Sequence, residues 1–421
     1  MEPLLFLAHR LPFPPNKGDK VRSFHFLEHL ATRHRVFLGT FIDDPEDWQH
    51  VASLEAICAG VHVEALTPWS SRIRSLAGLG CGEAMTLRYF RSRRLHDWVD
   101  ATARREKVAR AFAFSSPMAQ YVLGNPQLRC VVDMVDMDSA KWSEYARRRR
   151  WPISALFERE GERLLAYERE IAARAEASIF VTQDEARLFC DAAPESAQRV
   201  AVIGNGVDSG YFTPSSEIAS PFAPGERAIV FTGAMDYWPN VDAVVWFKRE
   251  VLPLIRRRDQ TARFYIVGMN PAAAVRGLAD DAAVTVTGRV ADVRPFLQHA
   301  AVVIAPLRIA RGIQNKVLEA MAMARPVVVT LPVAAGLAAR EGVDFEVAED
   351  AQGFAEKVLG LLDDPQRASR IGALARTQVL REYTWLTHYT LLDDLLQRGG
   401  APSMPAGRAM PGSVPCAMAA N

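Results

Sequence analysis

Between Ala305 and Thr330 the chain reads APLRIARGIQNKVLEAMAMARPVVVT: a strand end, a glycine-containing loop, a helix, and a second strand opening at Pro326. Gly312 carries no Cβ, so the loop backbone can approach a ligand closely there. Gln314, Asn315 and Lys316 fall where the helix begins. A helix N-terminus presents unpaired N–H groups and a partial positive charge, which suits a diphosphate. Lys316 in a first turn opposes the helix dipole, and a bound anion explains its presence. Glu319 follows three residues later on the same face. Its carboxylate can accept hydrogen bonds from the two neighbouring hydroxyls of a ribose. Residue type and spacing alone fit a solvated i,i+3 ion pair equally well.

Further candidates stand directly after strands. Gly18, in the loop after the first strand, can bring backbone N–H groups to a diphosphate or an acceptor, and Gly233 ends a strand where only a small residue lets a phosphate come near. Arg22, on the first turns of the next helix, is a candidate for holding a charged acceptor or phosphate. Asp136 and Asp138 follow the strand Cys130–Asp133. Asp136 is placed to orient an acceptor hydroxyl or take up its proton, whereas Asp138 reads as a cap ahead of Ser139–Arg147.

The elements that position these residues alternate almost from end to end. Candidate strands are Leu4–Ala8, Arg35–Thr40, Arg110–Ala113, Cys130–Asp133 and Ala177–Thr182, then Ala228–Thr232, Ala262–Val267, Val284–Thr287, Ala301–Ala305 and Pro326–Thr330. Helical patterns run over Lys20–Arg33, Gly161–Glu176, Val241–Arg257 and Val317–Ala324. Alternation of this kind implies α/β architecture with parallel sheets and right-handed crossovers. The series restarts after a turn-rich stretch, Gly204–Pro214, and a Ser/Pro-rich linker. Two Rossmann-like doubly wound domains facing across a cleft are therefore expected. Residues 1–205 form the first and 206–383 the second, 384–396 packs back on the first, and 399–421 is a Gly/Pro/Ala/Met-rich tail read as disordered.

Composition narrows the function. Fifty Lys and Arg against 49 Asp and Glu leave a net charge of +1, which gives no reason to propose nucleic acid as a partner. The five cysteines form no C-x-x-C pair, which suits a reducing, cytoplasmic setting and argues against a disulfide framework or a zinc site. Of the nine histidines only His25 and His29 stand four apart, and no cysteine joins them in a cluster, so neither a metal nor another cofactor is expected. Asp136-Met137-Asp138 has the D-x-D form and is read as coincidental. The opening apolar run is too short for a signal peptide, and no stretch reaches the roughly 18 apolar residues of a membrane span. Arg147 to Arg150 with Trp151, and Arg88, Arg91, Arg93 and Arg94, leave peripheral contact with an anionic inner membrane open, against a solvated face as the default. Neither G-x-G-x-x-G after the first strand nor G-x-x-x-x-G-K-[ST] occurs, so the commonest dinucleotide and nucleoside-triphosphate cradles are missing.

Three runs resemble one family. Leu318-Glu319-Ala320-Met321-Ala322 with Pro326-Val327-Val328, Asn205-Gly206-Val207-Asp208 with Phe212 and Pro214, and Pro14 to Arg22 follow in order over most of the chain. They resemble the family 4 retaining glycosyltransferases of GT-B fold. Phe231 to Asn240, Val132–Lys141 and Gly312–Ala322 further resemble sugar transferases associated with exosortase/PEP-CTERM exopolysaccharide systems. The resemblance implies a nucleotide-sugar donor held by the second domain, a glycan or lipid-linked acceptor, and retention of anomeric configuration. It also implies that backbone groups at Arg289 and Val290 bind the base. Two departures stand out. The first Glu of the family's Glu-x7-Glu falls at Arg311, and the Arg and Lys expected after the first strand of the second domain are missing from Gly233–Asn240. Lys316 and Arg308 are the candidates to neutralise phosphate in their place, and Asp136, Arg311 and Lys316 the candidates for catalysis. The rival readings are a non-hydrolysing nucleotide-sugar epimerase and a catalytically degenerate nucleotide-sugar-binding scaffold.

Overall fold

A computed structural model describes residues 1–15, 18–66, 82–147, 149–310 and 312–398. Two all-parallel sheets organise them. The first has seven strands in the order β3-β2-β1-β4-β5-β6-β7 and the second six, β10-β9-β8-β11-β12-β13. In the first sheet these are Pro3–Ala8 (β1), Arg35–Ile42 (β2), Gly60–Ala65 (β3), Arg110–Phe114 (β4), Arg129–Val135 (β5), Ala177–Phe180 (β6) and Val200–Val202 (β7). The second contains Arg227–Thr232 (β8), Ala262–Val267 (β9), Val284–Gly288 (β10), Val302–Ala305 (β11), Val327–Thr330 (β12) and Glu346–Ala348 (β13). Continuous apolar runs such as Leu4–Ala8 and Val327–Val329 are what a parallel sheet covered on both faces requires, and both runs are buried throughout. In each sheet the strand order reverses once, between β1 and β4 and between β8 and β11. At such a reversal adjacent crossovers leave on opposite faces and a crevice opens beyond the carboxyl ends of the strands.

The ten strands anticipated from sequence all form, within a few residues at their ends. Missing from that reading are β3, β7 and β13, three short outer strands. In β3, His62 and Glu64 are polar and pair with one another at 2.9 Å, so the strand lacks the apolar run that marks its neighbours. Two helices differ from expectation for identifiable reasons. The segment expected as one helix over Val241–Arg257 is an α-helix, Trp238–Trp246, a π-turn, Phe247–Val251, and a second α-helix, Leu252–Arg256. Pro253 near the start of the last piece has no N–H, and its ring displaces the carbonyl four residues earlier, which widens the turn. The helix expected to begin at Gly161 runs from Ile153 to Arg174. Gly161 is the contact point for the helix Asp138–Arg147: a Cβ there would lie 2.7 Å from Ser143 Oγ and 3.1 Å from the Ser139 carbonyl.

The chain passes between the sheets twice, and the two passages touch. Val207 N–H donates to the Tyr383 carbonyl at 2.8 Å, and Val207 forms an isolated bridge with Thr384. The last helix, Trp385–Arg398, then packs against the first sheet, where Trp385, Leu392, Leu395 and Leu396 join its core. Trp385 stacks on His25 at 4.6 Å and meets Phe26 edge-on at 5.7 Å. A Cβ on Gly206 would stand 2.5 Å from the indole, so the passage must be glycine there. Trp385→Ala is expected to lower unfolding stability by about 3 kcal/mol, the cost of a large buried ring and its cavity, measured by urea denaturation.

Candidate functional site

The crevice is lined from the second sheet by the loop after β8 and by the helix Asn315–Ala322 that follows β11. Gly233, the first residue after β8, has φ 153°, and a Cβ would lie 2.8 Å from Asn240 Nδ2 and 3.0 Å from Lys316 Nζ. Behind it Gly268 (φ 156°) touches the Gly233 carbonyl so closely that no side chain fits at 268. The two glycines let loop and helix close on each other. Lys316 Nζ donates to Asn240 Oδ1 at 2.5 Å and lies 4.3 Å from the centre of the Phe231 ring, while Asn240 Nδ2 donates to the Ala234 carbonyl at 2.8 Å. Asn240 therefore faces the ammonium with its oxygen.

Burial pushes the Lys316 ammonium down to about 7, with Glu319 pulling the other way, and burial pushes the Glu319 carboxyl up to about 7, opposed by Lys316. The Glu319 carboxylate has no hydrogen-bond or ion-pair partner among the described residues, which leaves it available to a ligand. Of the other residues expected here, Gln314 occupies the N-cap position, and its Nε2 donates to the Gly312 carbonyl at 3.5 Å. Gly312 adopts φ 63°, and its Cβ position lies 3.3 Å from Val181 and 3.9 Å from Asp136 Oδ1, so this loop reaches across to the first sheet. Gly18 opens the helix Gly18–Arg33 opposite the Asn315 side chain, where a Cβ at 18 would lie 3.9 Å from its Nδ2. Arg289 is exposed at the rim near Met269, and Val290 packs on the core of the second sheet. Arg311 lies outside the described residues.

Asp136 is brought into the crevice by a distortion of β5. The register shifts between Asp133 and Val135, and Val135 takes φ 66°, an outlier for a β-branched residue. Asp133 Oδ1 accepts the Val135 N–H at 3.1 Å and holds the bulge. Lys141 Nζ then lies 2.9 Å from Asp136 and 3.2 Å from Asp138, so the two carboxylates of the D-x-D run share one ammonium. Asp138 is the first residue of its helix.

One expectation is corrected. Arg22 does not face an acceptor. It is 1% exposed, with Nε 2.7 Å from Asp133 Oδ2 and Nη1 2.8 Å from the Gly204 carbonyl, because the helix Gly18–Arg33 turns that face toward β5. Arg308, half exposed at the wall of the crevice, forks onto Asp242 at 3.0 and 2.5 Å. Sequence reasoning assigned no role to Asn240, Gly268 or Lys141. A glycine closing β9 just as Gly233 closes β8 was the available signal for Gly268. For Asn240 and Lys141 only the folded contact reveals the role.

A cavity of 670 Å³ opens beside this cluster, between the two sheets. Ser139, Ser143 and Arg147 line it from one side and Arg308, Ile309 and Ala310 from the other.

Comparison with known proteins agrees with this architecture. The chain resembles Anabaena HepE in complex with UDP and glucose (TM-score 0.68, 16% identity, covering 94% of this chain and 100% of that one). It resembles sucrose-phosphate synthase of Thermosynechococcus elongatus at TM-score 0.70 and 15% identity, covering 94% and 99%. WaaG, a glycosyltransferase involved in lipopolysaccharide biosynthesis, matches at TM-score 0.65 and 15% identity over 94% and 99%. The chain has the GT-B fold. Residues 226–364, most of the second sheet and its helices, match the family described as "Glycosyl transferases group 1". No curated protein sequence matches the chain.

Two outcomes are expected. Gly233→Ala forces Lys316 and Asn240 apart, lowering the thermal midpoint and the affinity for nucleoside diphosphates together, as read by differential scanning fluorimetry and calorimetry. The pH dependence has two limbs. Glu319, raised in the fold, binds its proton more tightly than the unfolded chain does, so stability falls as pH rises from 4.5 to 7. Lys316, lowered in the fold, carries a cost below pH 7 that is relieved between 7 and 10.5. In Glu319→Gln the first limb disappears from the midpoint-versus-pH curve while the second remains.

Proposed function

We infer that this protein transfers a sugar from a nucleotide-sugar donor to an acceptor hydroxyl. The observation that carries the reading is the Lys316–Glu319 face of the helix Asn315–Ala322, set against two glycines and opening into the crevice between two Rossmann-like halves. The match of residues 226–364 to a glycosyltransferase family supports it, as do similar folds reported with UDP and with glucose.

In this reading the diphosphate lies at the helix N-terminus beside Lys316, and Glu319 accepts the ribose hydroxyls. As the bond between the sugar C1 and the phosphate oxygen breaks, its electron pair passes to the leaving diphosphate. The protonated Lys316 and the N-terminal N–H groups stabilise that growing charge more than they stabilise the ground state. The acceptor oxygen bonds to C1, and its proton passes to Asp136, the carboxylate that the β5 bulge brings to the crevice. The acceptor approaches through the 670 Å³ cavity. Retention of configuration and a place in exopolysaccharide assembly rest on the resemblance of the motif runs. Peripheral membrane contact has one structural support: Trp151 is 81% exposed beside Arg147, Arg149 and Arg150, which have no acidic partner among the described residues. Arg88 and Arg91, by contrast, pair with Glu83. Among the described residues no helix is long and apolar enough to cross a membrane.

The test is thermal stability against a panel of nucleoside diphosphates and nucleotide sugars, with Lys316→Ala and Glu319→Ala alongside, followed by product analysis with sugar acceptors. Binding to the native state raises the midpoint by mass action. One nucleotide is expected to stabilise the wild type by several degrees and neither variant. Failure of every nucleotide at millimolar concentration overturns the reading. Binding without transfer favours a scaffold, and a changed sugar released without any acceptor favours an epimerase.

A further inference from the structure

We propose that Arg22 is a positioning residue that acts through Asn205 to set which end of the Asn315 amide faces the donor phosphates. The proposal rests on the donor-site reading above. Arg22 and Asp133 are both essentially without exposure, and the guanidinium lies against Asp133 through Nε (2.7 Å) and Nη2 (3.3 Å). The remaining terminal nitrogen, Nη1, reaches the Gly204 carbonyl at 2.8 Å and Asn205 Oδ1 at 3.2 Å. Asn205 Nδ2 in turn donates to Asn315 Oδ1 at 3.3 Å, across the crevice in the first turn of the donor-side helix.

The order of atoms along this chain is dictated by chemistry. A guanidinium only donates, so Asn205 must present its oxygen to Arg22. Its NH₂ is then left for the neighbour, and Asn315 must answer with its own oxygen. The Asn315 NH₂ is thereby turned the other way, next to Gly18, and has no acceptor among the described residues. Two N–H donors are thus held in the crevice at the helix N-terminus, where a phosphate oxygen of the donor accepts them. The arrangement exists only while the two sheets are close, so the same relay ties orientation of the amide to closure of the crevice.

The relay can be reversed without removing a buried group. In Asn205→Asp the new carboxylate still accepts from Arg22 but cannot donate, so Asn315 satisfies it only by swinging its NH₂ inward and its oxygen toward the phosphates. Asn315→Asp keeps the acceptor for Asn205 and removes the outward donors. The probe is whichever of UDP, GDP, ADP and dTDP most raises the wild-type midpoint, with affinity read by calorimetry. For both variants we expect a ligand-free midpoint within about 3 °C of wild type and an affinity lower by about tenfold, the size of one lost hydrogen bond to a charged group. Wild-type affinity in Asn205→Asp overturns the proposal. If Lys316→Ala also binds like wild type, or if none of the four diphosphates stabilises the wild type, the donor-site reading falls and this proposal with it. Loss of binding in Lys316→Ala with full binding in Asn205→Asp removes only the relay.

Discussion

The pairing of Arg22 with Asp133 is the interaction on which the rest of the first half depends. Removing two charges from water costs about as much as their attraction returns, so the pair adds little net stability. What it supplies is position. One carboxylate oxygen fixes the β5 bulge through the Val135 N–H, and that bulge delivers Asp136 to the crevice. Meanwhile the guanidinium fixes the start of the passage to the second sheet through Gly204 and Asn205. A strand end, a helix and a chain crossing are thus referenced to one buried ion pair. Removing either partner alone leaves an uncompensated charge in the core and unsettles all three.

The second half is organised around a short helix held at both ends. At its N-terminus, Asn315–Ala322 offers N–H groups and Lys316 to the crevice. At its C-terminus the Glu319, Ala320 and Met321 carbonyls accept the backbone N–H groups of Met323, Arg325 and Ala324, and two arginines serve the carbonyls that follow: Arg376 donates to Ala322 and the Arg325 side chain to Met323 at 3.3 Å. Burial draws both guanidiniums below their usual range, and no acid among the described residues offsets the effect. They complement the negative end of the helix dipole instead. The positive end is left for an anion.

Much of this was legible before the fold was known. The apolar strands, the restart after Gly204–Pro214 and the helix that follows the glycine-containing loop before Lys316 each follow from local pattern, because a buried parallel strand and a helix start leave direct marks in sequence. The polar outer strand β3 has no such mark. Arg22 defeats a local reading for a physical reason. A charged residue next to a loop looks available until its partner is known, and the partner of Arg22, Asp133, lies 111 residues away. Asn240 is the reverse case, a residue of no evident chemistry that becomes the hydrogen-bond partner of the Lys316 ammonium.

The adjoining passages at Val207 and Tyr383–Thr384 have a consequence for how such a chain can be rearranged. Because the final helix returns to the first sheet, everything between those two points is an insertion whose ends are joined by a 2.8 Å hydrogen bond. A segment with neighbouring ends can be cut out and replaced without straining what remains. The half that carries Lys316 and Glu319 is thus a cassette: a different one could be fitted at the same two seams while the first half kept its register.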